Sequence, residues 1–482
     1  MSLGNFIKNI QNIMRKDKGV GTNDVLILEQ LVWLLFLYIY NYKEEEWELH
    51  DDNFQSIIPE AFRWRNWAID EKDGNALTGD ALLSFIDLEL LPALKDLEID
   101  ETTEKRKAIV KSIFEDSNNY MKNGTYLRQL VNLVNEMNFD EIEERHAFND
   151  IYEELLRGLQ TAGNNGQYFT PRALTEFTAE MVNIKIGDTV ADFAAGTGGF
   201  LTSAYRILEH QAKTVDDYEL INSSIYGAEK FHLPFLLGVT NLMLHGIDTP
   251  ELEHKNSFSD NMLEFRERDK VSVILMNPPF GSKSEDASIQ MNFPKEFQTS
   301  ETADLFMALI MYRLKANGRV GLILPDGFLF GDGVKQRLKE KLFREFNLHT
   351  IIRLPGSVFA PYTSISTNIL FFDYNQSGTE ETWYYELPLP EGYKAFSKTK
   401  PMSSKHFDQV REWWNTREES EHSWKVTKEE VIKRNYNLDF KNPNIPEQEI
   451  HDPGVLLEKY REVNIKIQAL QESLLEELRD LL

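Results

Sequence analysis

The sequence predicts an α/β protein: a doubly wound, mostly parallel sheet, with a helical N-terminal domain before it and a C-terminal helical tail after it. Three observations predict this. Residues 1–165 carry helical periodicity with no convincing β-rich run. From Gly166 onward, short β-rich runs alternate with amphipathic helical segments, the pattern of strands joined by crossover helices. Several of those runs are apolar on consecutive residues, as strands covered on both faces must be.

In order along the chain, the first domain (1–165) contains NDVLILEQLVWLLFLYIYNY, ALLSFIDLELLPALKDL and YLRQLVNLVNEMNF, separated by acidic or polar turns. The longest apolar window, Val25 to Tyr42, carries Glu29 and Gln30 inside it and Asn41 near its end, so it reads as a buried helix and not a membrane span. The second domain (166–400) opens with PRALTEFTAEMVNI as a lead-in helix. Strands follow at 188–195, 223–230, 271–277, 318–325, 349–355 and 366–373, with helices at 200–212, 231–246, 302–317 and 333–346 between them. TWYYELP adds a candidate strand. The third region (401–482) ends in a helix from Gly454, where Tyr460, Ile467, Leu474 and Leu481 recur every seven residues beside a second row of Leu456, Val463 and Leu470. Two such rows form a coiled-coil seam. At the extreme terminus this seam favours pairing with a partner over packing on its own domain.

The chain has 482 residues, 41% of them hydrophobic, enough for two or three real cores. It has no cysteine, which excludes disulfides and thiolate metal sites and fits a reducing compartment. The N-terminus lacks the apolar run and small-residue cleavage site of a secretory signal, so a cytoplasmic location is expected. Fifty-two basic against 78 acidic residues give a formal charge of -26, a surface that repels phosphate backbones. Action on nucleic acid would require local basic patches or a basic partner.

Three strand ends carry the chemistry. The first runs into Asp192-Phe193-Ala194-Ala195-Gly196-Thr197-Gly198-Gly199-Phe200, a glycine-rich turn that lets backbone approach a ligand at a helix N-terminus. It lacks the lysine of a GxxxxGK[ST] loop, against a nucleoside-triphosphate site. The second ends at Glu229, where an acid commonly takes ribose hydroxyls. It lies 30 residues past Gly199, against about 20 in nicotinamide enzymes. The third is VSVILMN, stopped by Pro278 and Pro279, which donate no N–H to a sheet. The prolines make a stiff mount for Asn277 and Phe280. An amide oxygen, a neighbouring carbonyl and a flat ring suit a planar base bearing an exocyclic NH₂. Alone, this motif reads first as a proline-capped strand end with a core phenylalanine.

The ordered set GQYFTPR (166–172), ADFAAGTGGF, GAEK, MNPPFG, GRVGLILPDGFLFG (318–331) and LPGSVFAPYTSISTNILFF (354–372), with YNLDFKNP (436–443) near the end, resembles the N6-adenine DNA methyltransferases. More narrowly, it resembles the modification subunit of type I restriction–modification systems over roughly the whole chain. The resemblance implies a class I methyltransferase fold and S-adenosyl-L-methionine as cofactor. It places Gln167, Tyr168, Phe169, Thr170, Pro171 and Arg172 over the cofactor, with Thr170 near its methionine part. Asp192, Gly196, Thr197, Gly198 and Gly199 would hold that same end, Glu229 the ribose, and Asn256 the cofactor's adenine. Asn277, Pro278, Pro279 and Phe280 are the implied catalytic set, and Phe359 a second aromatic beside the target base. The adenine must be flipped out of the duplex to be reached, at a cost of about a few kcal/mol.

The resemblance also implies a specificity subunit that reads the DNA, two modification subunits per specificity subunit, a restriction subunit in the full complex, and a prokaryotic cytoplasm. The chain itself has little room for recognition: 109 residues follow Asp373 and the stretch from Phe280 to Asp304 is short. Lys283, Lys335, Arg337, Lys339 and Lys341 could line the DNA side, and the last four read equally as a solvated basic helix face. No metal is expected. None of the ten histidines falls in an HExxH pattern, and His146, His210, His232, His245 and His254 read as ordinary surface or core residues. Competing readings are methylation of a protein glutamine or of RNA, and a scaffold that binds the cofactor without catalysis. Against the first stand the GQYFTPR lead-in and the terminal seam; against the second stands the intact Asn-Pro-Pro-Phe set.

Overall fold

The computed structural model describes residues 3–69, 76–99, 105–137, 170–280, 286–360, 363–397 and 399–444, and within the terminal stretch 460, 461, 463–468, 470 and 471. The N-terminal part is built from α1 (Leu3–Met14), α2 (Asp24–His50), α3 (Trp64–Trp67), α4 (Gly79–Phe85), α5 (Leu91–Lys95), α6 (Lys105–Glu115) and α7 (Gly124–Asn135). Asn23 starts α2 by accepting from the Val25 and Leu26 amides, and Asn123 starts α7 the same way. Helix α2 is long and apolar enough to cross a membrane, yet 72% of its apolar window is buried against the rest of the protein. Gln30, inside that window, is fully buried and its Oε1 accepts from the Tyr120 amide at 2.7 Å. That contact satisfies the amide oxygen, while Nε2 is buried with no partner among the described residues.

Next come α8 (Arg172–Met181), β1 (Val190–Asp192), α9 (Gly199–Glu209), α10 (Val215–Asn222), β2 (Ile225–Glu229), α11 (His232–Leu244), β3 (Glu251–His254) and β4 (Val271–Met276). After them run α12 (Ala287–Gln290), α13 (Thr302–Arg313), β5 (Leu314–Pro325), α14 (Asp326–Phe330), α15 (Val334–Glu345), β6 (Asn347–Arg353), β7 (Thr367–Asp373), β8 (Glu381–Glu386), α16 (Asp408–Thr416), β9 (Ser423–Thr427) and α17 (Lys428–Lys433). The strands form one sheet in the order β3-β2-β1-β4-β5-β7-β6-β8-β9. Strand β4 explains the consecutive apolar run. Val273 and Leu275 join the core that holds α8, α9 and α11, while Ile274 and Met276 join the opposite core with α13 and α15.

Strands β1 to β3 run outward from β1 in one direction and β4 and β5 in the other, so the strand order reverses between β1 and β4. A parallel sheet opens a crevice at such a reversal, beyond the carboxyl ends of the strands. Asp192 and Asn277 stand at those two ends.

The structure departs from the sequence reading in several places. β7 runs antiparallel between β5 and β6 and β9 antiparallel to β8, so the sheet is mixed. β3, β9 and α10 had no counterpart among the expected elements. β5 starts at Leu314, which ends the expected helix 302–317 at Arg313. Position 400 is not a break in the sheet, because β9 continues it, and Phe407 just before α16 stacks on Phe177 of α8 with ring centroids 4.1 Å apart. The junction expected at 165 lies outside the described residues. Of the terminal seam, Tyr460, Val463, Ile467 and Leu470 are described; they are helical and exposed.

Candidate active site

Beyond β1 the chain turns through Gly196 and Gly198, both left-handed at φ 53° and 76°. Glycine alone takes that conformation without strain, and the turn delivers the N-terminal amides of α9. Three side chains brace it. Glu229 at the end of β2 accepts from the Gly196 amide through Oε2 (2.9 Å) and from the Phe231 amide through Oε1 (2.8 Å). Asn241 of α11 donates to the Thr197 carbonyl at 2.8 Å. Asp192 accepts from the Ala194 amide at 3.0 Å.

Asp192 is 1% exposed, and burial pushes its carboxyl up to about 8, with the negative charge of Glu229 adding to the rise. Burial raises Glu229 as well, against the amides that hold its charged form. Two buried acids beside a left-handed glycine turn favour a cationic, hydroxyl-bearing ligand, because its charge would relieve their mutual repulsion. S-adenosyl-L-methionine fits on both counts.

At the end of β4, Asn277 donates from Nδ2 to the Thr170 hydroxyl at 2.9 Å. That contact aims Oδ1 the other way, and this oxygen is buried with no hydrogen-bond partner among the described residues. An unsatisfied buried acceptor costs roughly 1–3 kcal/mol, so a ligand donor placed there is strongly favoured. Phe280 is buried and meets Phe359 edge-on, with centroids 6.4 Å apart and planes at 88°. Pro278 is buried and Pro279 half-buried between them.

Residues 143–452 match the N-6 DNA Methylase family. The chain belongs to this family. It is 47% identical to the type I restriction enzyme EcoEI methylase subunit of Escherichia coli over 491 residues, covering 100% of this chain and 98% of the relative. The EcoKI methylase subunit of Escherichia coli K12 is 27% identical over 81% of this chain and 72% of the relative. Among solved structures, a modification subunit from Vibrio vulnificus YJ016, assigned to a type I restriction enzyme, superposes with a TM-score of 0.83. It is 40% identical, with 92% of this chain and 96% of that one covered. A chain from a type I R-M complex, solved to explain assembly and conformational transition, gives 0.79 at 35% identity over 99% and 98%. This N-6 DNA methylase is thus an adenine-specific DNA methyltransferase of the type I restriction–modification class.

The other expected site residues make contacts of their own or are not described. Gln167, Tyr168, Phe169 and Lys283 lie outside the described residues. Pro171 sits just before α8, its carbonyl accepting from the Leu174 and Thr175 amides. Arg172 pairs with Glu176 at 3.1 Å. Thr170 has a role the sequence did not suggest, as the group that orients Asn277. Asn256 follows β3 and accepts from the Phe258 amide at 3.1 Å through Oδ1.

The basic helix face is corrected. Lys339 is 1% exposed and spends its ammonium on the carbonyls of Leu329 (2.7 Å) and Gly331 (2.9 Å), and burial lowers it to about 8. Lys335 pairs with buried Asp304 at 2.9 Å and Lys341 with Glu345 at 2.6 Å. Of the four, Arg337 is exposed, donating to the Glu296 carbonyl.

Sequence reading flagged the 318–331 and 436–443 motifs without giving them a task. Here they close on each other: Arg353 bridges Asp326 (3.6 Å) and Asp439 (2.8 Å), and Asn368 donates to Asp326 at 2.8 Å. No spacing in the sequence connects these four residues.

Proposed function

We propose that this methylase transfers a methyl group to N6 of an adenine turned out of double-stranded DNA, at the crevice between β1 and β4. The observation that carries the reading is the orphaned Asn277 Oδ1. An adenine amine donating to that oxygen and to the Pro278 carbonyl would satisfy the buried acceptor and draw the nitrogen lone pair out of ring conjugation. Phe280 supplies the stacking face and Phe359 the edge beside it. S-adenosyl-L-methionine, when bound, supplies an electrophilic methyl group. Asp192, Gly196, Thr197, Gly198, Gly199 and Glu229 would hold it, with Thr170, Pro171, Arg172 and Asn256 beside them, and the family resemblance assigns Gln167, Tyr168 and Phe169 to it as well. What the protein contributes to the displacement is positioning and an oriented dipole, both set before the substrate arrives.

Sequence choice belongs to a separate specificity subunit, with two methylase chains to each, and a restriction subunit completes the nuclease. A net charge of -26 supports this division, since a basic partner would carry phosphate contacts that this surface lacks. The exposed apolar residues of the terminal helix are its docking face, and membership of the type I restriction–modification class supports a prokaryotic cytoplasm for the assembly. The test is methyl incorporation into duplex DNA and into protein, with and without the specificity subunit. The reading expects label on adenine only when that subunit is present. Label on protein, or equal DNA labelling without it, would overturn the reading.

A further inference from the structure

Where the helical N-terminal part meets the sheet, three potential metal ligands converge from distant segments. Asp116 follows the last turn of α6, His232 opens α11, and His254 ends β3. One ligand atom from each lies within 4.8 Å of the other two. His254 Nδ1 stands 3.9 Å from Asp116 Oδ2, and its ring is held flat against Phe235 with centroids 5.0 Å apart. The two imidazoles are 5.6 Å apart. His232 Nε2 lies 3.3 Å from the Ser117 hydroxyl, while its Nδ1 is buried without a partner among the described residues.

We infer that Asp116, His232 and His254 form a binding site for a divalent transition metal of the Zn²⁺ type. Two imidazoles and one carboxylate are the donors such an ion takes, with a fourth position left to water, whereas Mg²⁺ prefers an all-oxygen shell. Ligands at about 2.0–2.1 Å from a tetrahedral ion sit roughly 3.3 Å from one another, so the set must draw in slightly. The Asp116 side chain, 58% exposed, is placed to make that movement.

The consequence is a clasp. Asp116 belongs to the helical part and both histidines to the sheet domain, so one ion would join the two. It would do so beside the strand tip that carries Glu229, since His254 is the direct β-partner of Glu229 and His232 follows three residues later. The clasp takes no part in methyl transfer and stands independently of that reading.

Titration calorimetry of Zn²⁺ into the full chain, stripped of metal by chelator, tests it, with Mg²⁺ for comparison. The expected result is one equivalent of Zn²⁺, no Mg²⁺ uptake, and a rise in melting temperature with Zn²⁺. Asp116→Asn and His254→Gln should each weaken binding by at least the ~10-fold that even an outer-shell loss costs. Asp116→Asn changes an exposed side chain, so its metal-free melting curve should match wild type, and His210→Gln should bind normally. No Zn²⁺ uptake by the wild-type chain, or unchanged affinity in Asp116→Asn and His254→Gln, would overturn the inference.

Discussion

The Thr170 hydroxyl anchors the Asn277 amide at Nδ2, which leaves Oδ1 as the acceptor free to meet a substrate amine. Thr170→Val removes that anchor while keeping side-chain volume. Since misplacement of a reacting group by about 1 Å can cost ~100-fold, kcat should fall by roughly 10- to 100-fold. Thr170→Ser should restore most of it, and a valine variant with wild-type kcat would contradict the positioning role. Asp192 makes a second prediction, through pH. Its carboxyl is raised to about 8 in the folded chain, against about 3.9 unfolded, so folding favours its protonated form. The stabilising contribution is present below about pH 4 and lost as pH rises toward 8. Asp192→Asn abolishes that titration, so the ligand-free variant should gain stability relative to wild type from about pH 5 to 8, measured by denaturant unfolding. A constant difference across that range would show that the carboxyl is not perturbed. The strand-end residues Asp192, Glu229 and Asn277 were legible in the sequence because abrupt ends of apolar runs mark them. Thr170 orienting Asn277, and Asn241 bracing Thr197, were not legible, because 107 and 44 residues separate the partners.

Among the elements, legibility followed the strength of the apolar pattern. β4 and β7 are buried almost throughout and β6 over four of its seven residues, and all three were found within a residue or two. β3 reads Glu-Leu-Glu-His and lies at the edge of the sheet, with one buried residue to signal it. The antiparallel sense of β7 leaves no mark in its sequence, since a strand buried on both faces looks the same in either direction. Helix α15 was misread because a basic face looks solvated in sequence, whereas Lys335 and Lys339 point into the protein. Lys335 neutralises Asp304, which is 2% exposed in its side chain. Lys335→Met should therefore destabilise the fold by about 3 kcal/mol, the cost of stranding a buried charge. Lys335→Met with Asp304→Leu should recover most of that loss. Equal melting of the single variant and wild type would show that the pair contributes nothing.

At the scale of the whole molecule, an acidic chain that acts on DNA needs help, and the terminal helix is where that help can attach. Tyr460, Val463, Ile467 and Leu470 are 46–71% exposed, an apolar row that costs free energy in water unless covered. Deleting residues 454–482 should leave S-adenosyl-L-methionine binding intact while abolishing co-elution with the specificity subunit, read by light scattering. Retained co-elution would place the interface elsewhere. The helix at Tyr460, Val463, Ile467 and Leu470 was legible from heptad spacing; what covers these residues is not, because a periodic row does not specify its partner.

All three scales meet in one measurement: labelled methyl incorporation into the adenines of duplex DNA by the complex with its specificity subunit, comparing wild type with Asn277→Ala. The account predicts that Asn277→Ala binds S-adenosyl-L-methionine and assembles as wild type does, yet loses at least about 100-fold in methylation, the scale of removing one oriented polar group from a transition state. Near-normal methylation by Asn277→Ala would contradict it.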